Sequence, residues 1–187
     1  VRDVLRTTDA ENFKMISDTV GFLRKHGREV FFDAEHFFDG YKDNAAFAMG
    51  ALKSAVEAGA GALVLCDTNG GCLSNEIYSM TAEVVKTFGV PVGIHVHNDS
   101  GLAVANTLEA VRAGAVQVQG TVNGYGERCG NASLCSVIPS LELKMGYACV
   151  PEGSLGKLKG LSQFMDELVN LRRQHRAPYV GESAFVH

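Results

Sequence analysis

Two histidines separated by one residue, His95 and His97 in Ile94-His95-Val96-His97-Asn98-Asp99, form a pair of the kind that holds a metal ion. They follow Pro91-Val92-Gly93, which reads with Ile94 as a short buried strand, and precede Ser100-Gly101 and a helical pattern. On a strand, residues i and i+2 point to the same face, so the two imidazoles project side by side. Neutral imidazole is the commonest protein metal ligand. The plain alternative is a pair of core or surface histidines bonded to backbone. Their place at the C-terminal end of a buried strand, with Asn-Asp behind them, favours the metal.

Other polar residues stand at the ends of other apolar runs. Residues 29–36 form an apolar strand that turns acidic, with Asp33 and Glu35. Residues 62–66 are an apolar run ending in Asp67-Thr68-Asn69-Gly70-Gly71. Residues 116–122 end in Asn123-Gly124-Tyr125-Gly126-Glu127-Arg128, with Asn131 just beyond. If these strands are neighbours, Asp33, Glu35, Asp67, Thr68, His95, His97, Asn123, Glu127 and Asn131 share one mouth. Two imidazoles with an Asn or carboxylate oxygen suit Mg²⁺, Mn²⁺, Zn²⁺ or Co²⁺ with open positions. Such a site allows Lewis-acid catalysis on a substrate carbonyl. Glu35 reads either as a solvated strand-end carboxylate or as a group that orients or removes a proton, directly or through water. Thr68 reads either as a helix N-cap or as a donor to a substrate carboxylate. Arg128 is a candidate ion-pair partner of Glu127 or Glu35. Cys66 and Cys129 read as packing residues, since nothing local lowers a thiol pKa.

The elements that position these residues alternate. Thr8-Asp9-Ala10-Glu11 fits a helix-opening capping box, and His26-Gly27 a helix end. Further helices are expected over residues 44–58, 74–88, 101–113, 132–145 and 155–174. Strands made of continuous apolar runs indicate a parallel sheet covered by helices. Every strand ends in polar, Gly-rich residues, as in a TIM-type (β/α) barrel whose site lies at the strand C-termini. A doubly wound open sheet is the alternative, although no G-x-G-x-x-G joins a strand to its helix. Only four full strands and a stub at residues 2–5 can be counted, where a barrel needs eight. The chain therefore reads as the later half of a barrel over residues 1–147, followed by a helical segment over 148–187, with both ends cut.

The 187 residues carry a net charge of −4, with no basic footprint for nucleic acid. No apolar run is long enough to span a bilayer. The five cysteines lack C-x-x-C spacing and read as reduced thiols, which points to the cytoplasm.

Three motifs in order, His-Val-His-Asn-Asp (95–99), Asn-Gly-Tyr-Gly-Glu-Arg-Cys-Gly-Asn (123–131) and Pro-Tyr-Val-Gly-Glu-Ser-Ala-Phe-Val-His (178–187), resemble the metal-dependent acyl-CoA-condensing family. It holds the isopropylmalate, homocitrate and citramalate synthases and the related hydroxymethylglutaryl-CoA lyases. The stretch 32–41, Phe-Asp-Ala-Glu-His-Phe-Phe-Asp-Gly-Tyr, most resembles the citramalate synthase branch. The resemblance implies a (β/α)₈ barrel with a helical linker, and condensation of acetyl-CoA with a 2-oxo acid, pyruvate foremost, in branched-chain amino-acid biosynthesis. It implies His95 and His97 as ligands of a divalent metal with Asn131 in or near its shell, Thr68 on the 2-oxo acid carboxylate, Glu35 in acetyl-CoA chemistry, and His187 as a linker acid/base. It also implies a homodimer. Arg2-Asp3 is not the family's first-strand Arg-Asp pair, because it stands only one helix before Glu35. A chain without that pair is expected to be inactive alone. Glu-Arg-Cys-Gly-Asn has the synthase form rather than the lyase form, which places Pro after the cysteine.

Overall fold

The computed structural model describes residues 6–185; the expected strand stub with Arg2-Asp3, and His187, lie outside them. Strands β1 (Phe31–Ala34), β2 (Ala62–Asp67), β3 (Val92–Val96) and β4 (Gln117–Gln119) lie side by side in that order, all parallel. Helix α1 (Asp9–Lys25) precedes β1, while α2 (Phe37–Glu57), α3 (Ser74–Thr87) and α4 (Ala103–Arg112) connect successive strands. Helices α5 (Leu134–Met145) and α6 (Leu158–Leu168) follow β4.

Local chemistry sets the boundaries. Thr8 Oγ1 accepts from Glu11 N at 3.2 Å and opens α1, with Asp9 and Glu11 in its first turn and Arg24 and Lys25 in its last, as the helix dipole favours. Helix α2 starts seven residues earlier than the expected Asn44. Asn44 is instead a kink (φ −152°, ψ 88°), and its Oδ1 accepts from Phe47 N as an internal cap. β4 is shorter than expected because the chain leaves the sheet to pair with the stretch before α5: Thr121 N donates to Ala132 O, and Leu134 N to Thr121 O. Helix α6 is shorter than the expected 155–174, stopping where Asn170 adopts a left-handed conformation (φ 55°) that suits a helix end.

Strand register gives the sheet two unlike faces. Phe32, Ala34, Leu63, Leu65, Ile94, Val96 and Val118 point to one face and pack under the helices in the main core. Phe31, Asp33, Val64, Cys66, Gly93, His95, Gln117 and Gln119 point to the other. Gly93 leaves room for the Gln117 side chain, whose Oε1 would lie 2.1 Å from a Cβ there and would have to swing aside for any larger residue. A second small cluster, Cys135, Leu158 and Val180, holds α5, α6 and the C-terminal turn together. No helix among the described residues is long and apolar enough to cross a membrane.

Candidate metal centre at the strand ends

His95 stands on β3 and His97 just past its end, where an isolated bridge pairs it with Asn131. The rings stay side by side, centroids 5.1 Å apart and 25° from parallel. Backbone bonds from Asn98 N to Gly130 O and Ala132 N to Val96 O bring the loop after β4 against the end of β3. His95 Nε2 then lies 3.2 Å from His97 Nε2 and 3.0 Å from Asn131 Oδ1. Two ligands about 2.1 Å from one octahedral ion are themselves about 3 Å apart, so these spacings match a shared cation.

Donor polarity strengthens the match. Gln119 Nε2 donates to Asp33 Oδ1 at 3.3 Å, so Gln119 Oε1, 2.8 Å from His95 Nδ1, accepts the His95 N–H. His95 Nε2 is therefore a bare lone pair. Asn131 Nδ2 donates to Tyr125 O at 3.1 Å, which turns Asn131 Oδ1 toward that lone pair. In the absence of metal the His97 Nε2–H at 3.2 Å meets the His95 lone pair, while Asn131 Oδ1 faces it as a second acceptor at 3.0 Å, a juxtaposition that a cation suits. The set is two imidazoles and an amide; no cluster of three His, Cys, Asp or Glu side chains is arranged for a metal among the described residues.

Arg128 braces the other side. Its guanidinium pairs with Asp99 at 2.9 Å and Glu127 at 2.7 Å, and Nη2 donates to Thr68 O at 2.6 Å and to His97 Nδ1 at 3.0 Å. The sequence expectation of a Glu127 partner holds; Asp99, not Glu35, is its second carboxylate. Burial, then the His95 and Arg128 charges, hold the His97 imidazole below its usual range, against opposing pulls from Glu127 and Asp99. His97 is thereby kept neutral, the form that ligates. With Nδ1 accepting from Arg128, its own proton sits on Nε2 facing His95. Ligation requires that proton to leave or to move to Nδ1, where Glu127 Oε1 is 3.6 Å away.

Thr68 is buried, and its hydroxyl accepts from His36 N at 2.8 Å. It does not cap α3, whose first turn is closed by Glu76 Oε2 accepting from Leu73 N. Glu35 is exposed and makes no side-chain hydrogen bond or ion pair with another described residue. It lies close enough to Cys66 to act on it: burial, then the charges of Asp33 and Glu35, push that thiol up to about 12, so Cys66 is an inert packing residue. Asp67 is no ligand; its carboxylate accepts from Gly71 N and Cys72 N within its own loop. Asn123 also turns away from the histidines, and with Tyr125 it binds the buried Asp166 carboxylate of α6. Asn131 and Tyr125 share the lining of a cleft of about 610 Å³ with Arg172, His175 and Glu182. Gln119 and Asp166 do not stand out in the sequence; the polar alternation Gln117-x-Gln119 in a parallel strand is the available signal for Gln119.

With this geometry in place, likeness to known proteins narrows the field. The (R)-citramalate synthase of Aquifex aeolicus is 54% identical over the whole of this chain, which spans 36% of that protein. The 2-isopropylmalate synthase of Methanocaldococcus jannaschii is 37% identical over 98% of this chain and 34% of its own length. An HMG-CoA lyase from Acinetobacter baumannii, solved with coenzyme A and 3-methylmalate, superposes with a TM-score of 0.76 at 20% identity, covering 97% of this chain and 62% of that one. That likeness shows the fold: the four-stranded sheet is part of a TIM-type barrel. The HMGL-like family profile matches residues 1–164, and the chain belongs to the HMGL-like family.

Proposed function

We propose that the full-length protein carrying this chain is a synthase that condenses acetyl-CoA with pyruvate to give citramalate and coenzyme A. The observation that carries the reading is the pair of locked acceptors, His95 Nε2 and Asn131 Oδ1, facing each other at 3.0 Å beside His97. The 54% identity to a citramalate synthase supports the choice of reaction.

His95, His97 and Asn131 are assigned to a divalent cation, Mg²⁺ or Mn²⁺ first, with Zn²⁺ and Co²⁺ as the other candidates. When bound, that cation supplies Lewis-acid polarisation of a 2-oxo acid carbonyl. The Thr68 hydroxyl accepts from His36 N and keeps its own proton free to donate to the substrate carboxylate. Arg128 ties the Thr68 carbonyl to His97, so the carboxylate side and the ligand side are held in one frame. Glu35, exposed at the mouth, positions acetyl-CoA or takes part in removing its methyl proton, directly or through water. The resulting carbanion adds to the ketone carbon, and water cleaves the thioester to free coenzyme A. His187, outside the described residues, is assigned as acid/base. Residues 1–147 are assigned to the barrel and 148–187 to the segment after it. The same reading places a homodimer in the cytoplasm, with the remaining barrel strands supplied by the rest of the protein.

Coenzyme A release from acetyl-CoA, measured with Mg²⁺ or Mn²⁺ across pyruvate, 2-oxoisovalerate and 2-oxoglutarate, tests the reading. Fastest release with pyruvate is expected. Fastest release with 2-oxoisovalerate would make the protein an isopropylmalate synthase. Faster cleavage of a hydroxyacyl-CoA than synthesis would make it a lyase, and no release with any acid would overturn the proposal.

A further inference from the structure

Gln119 and Asp33 form a line across the open face of the sheet to His95. They stand on β4 and β1, strands that do not pair with each other. The line has a direction. An ionised carboxylate only accepts, so Asp33 draws the amide nitrogen of Gln119 toward itself at 3.3 Å. That leaves Gln119 Oε1 facing His95 Nδ1 at 2.8 Å, and an amide oxygen also only accepts. His95 Nδ1 must then carry the proton, and His95 Nε2 presents its lone pair to His97 and Asn131. Strand register supports the arrangement: His95 and Gln119 are direct partners in the β3–β4 ladder, and Asp33 lies on the same face. Ligand histidines commonly donate their second N–H to an oxygen that fixes the ring, and removing that partner weakens metal binding about 10- to 100-fold.

We propose that Asp33, acting through the Gln119 amide, is a positioning residue that fixes the tautomer of His95 and so presets this strand end for a divalent cation. The inference rests on the proposed metal reading for its purpose, although the tautomer itself can be read without metal. Without a carboxylate at residue 33, the amide of Gln119 is free to turn over. Its NH₂ would then face His95 Nδ1 and drive the proton to Nε2, where it blocks ligation.

The test uses the full-length protein labelled with ¹⁵N-histidine. Two readouts are taken: the His95 tautomer from the ring-nitrogen shifts of the metal-free protein, and the dissociation constant for Mn²⁺ alone. The native protein is expected to show Nδ1–H. Asp33→Asn is expected to move the signal toward Nε2–H and to weaken Mn²⁺ binding about 10- to 100-fold. Gln119→Met, which keeps the bulk and removes the acceptor, should weaken Mn²⁺ binding in the same way. The double variant Asp33→Asn/Gln119→Glu reverses the polarity of the first link only: the introduced amide on β1 donates, and the introduced carboxylate on β4 accepts from both sides. It should restore both readouts, which recovery of packing alone would not do. An unchanged tautomer and Mn²⁺ affinity in Asp33→Asn, or no restoration in the double variant, would overturn the proposal. A native protein with the Nδ1–H tautomer and Mn²⁺ binding but no coenzyme A release would sink the synthase reading and leave this one standing.

Discussion

On the helix-covered face of the sheet, Leu63, Leu65, Ile94 and Val96 are fully buried; on the other face Phe31 is 48% exposed, Asp33 is exposed, and His95 and Gln119 are half-buried. Each aliphatic side chain taken from water contributes roughly 1.5–3 kcal/mol. The covered face therefore supplies the packing energy that holds the strands parallel and in register. The open face contributes less to holding the sheet and is free to carry polar groups whose orientation matters more than their burial. Its centre is not bare, since Val64 and Cys66 are buried there. By strand register Val64 lies beside Asp33 and Cys66 beside His95; the His95–Gln119 bond is part-buried, while the Gln119–Asp33 bond is exposed.

The contrast can be broken from either side. Leu65→Ala, on the covered face, should destabilise the protein by about 2–5 kcal/mol in chemical denaturation while leaving turnover per folded molecule near normal. His95→Gln, on the open face, should do the reverse. Coenzyme A release should fall by more than the roughly 100-fold that follows loss of an outer partner, about 2.7 kcal/mol, with the denaturation midpoint nearly unmoved. If both variants lose stability alike, the division of labour is wrong.

Asp166→Leu probes the segment after the barrel. It leaves Asn123 and Tyr125 without their buried acceptor, and a loss of about 1–3 kcal/mol is expected, read as earlier unfolding of α6 in hydrogen exchange. The smallest effect concerns pH. His97 is held below 6.5, so its neutral form persists to lower pH than that of an ordinary imidazole. Loss of Mn²⁺ affinity should begin correspondingly lower. Arg128→Met removes a charge that lowers the His97 pKa, so the same loss should begin at higher pH. For folding the sign is parallel: between the folded pKa and 6.5 the unfolded state binds more protons, so His97 stabilises the native form above that window and the contribution declines as pH falls through it.

Much of this is legible in the residues. Apolar runs, closed by acidic residues at β1 and by Gly or Asn at the others, locate all four strands, and the His-x-His spacing locates the candidate centre. Asn44 is legible as a cap but not as an internal one, because the apolar Phe37 and Phe38 before it belong to a helical turn whose start, His36, takes a left-handed conformation that no local signal marks. Thr68 looks like a cap because Asp-Thr-Asn-Gly is cap-like; its true partner, His36 N, comes from another strand end. Gln119 is marked only by the Gln117-x-Gln119 alternation, and the β3–β4 register, which the sequence does not show, sets it opposite His95. Asp166 is invisible because its partners lie 41 and 43 positions away, at Tyr125 and Asn123. What pattern conveys is local; what it omits is which distant atoms a strand end meets.

The Gln119-to-Asp33 hydrogen bond joins positions 86 apart in the chain. Between them lie β2, β3 and three helices, so this contact forms only after every intervening strand has found its place. A slip of one residue in β3 or β4 would turn His95 or Gln119 to the helical side and sever the line. Molecules with a misaligned β3 would then lack the His95 ligand on this face, and those with a misaligned β4 would leave its ring without the Gln119 acceptor. The ion, by mass action, would accumulate only on finished ones. Metal in the medium would thus act as a proofreader of assembly, drawing the population toward the correctly aligned sheet before any substrate arrives.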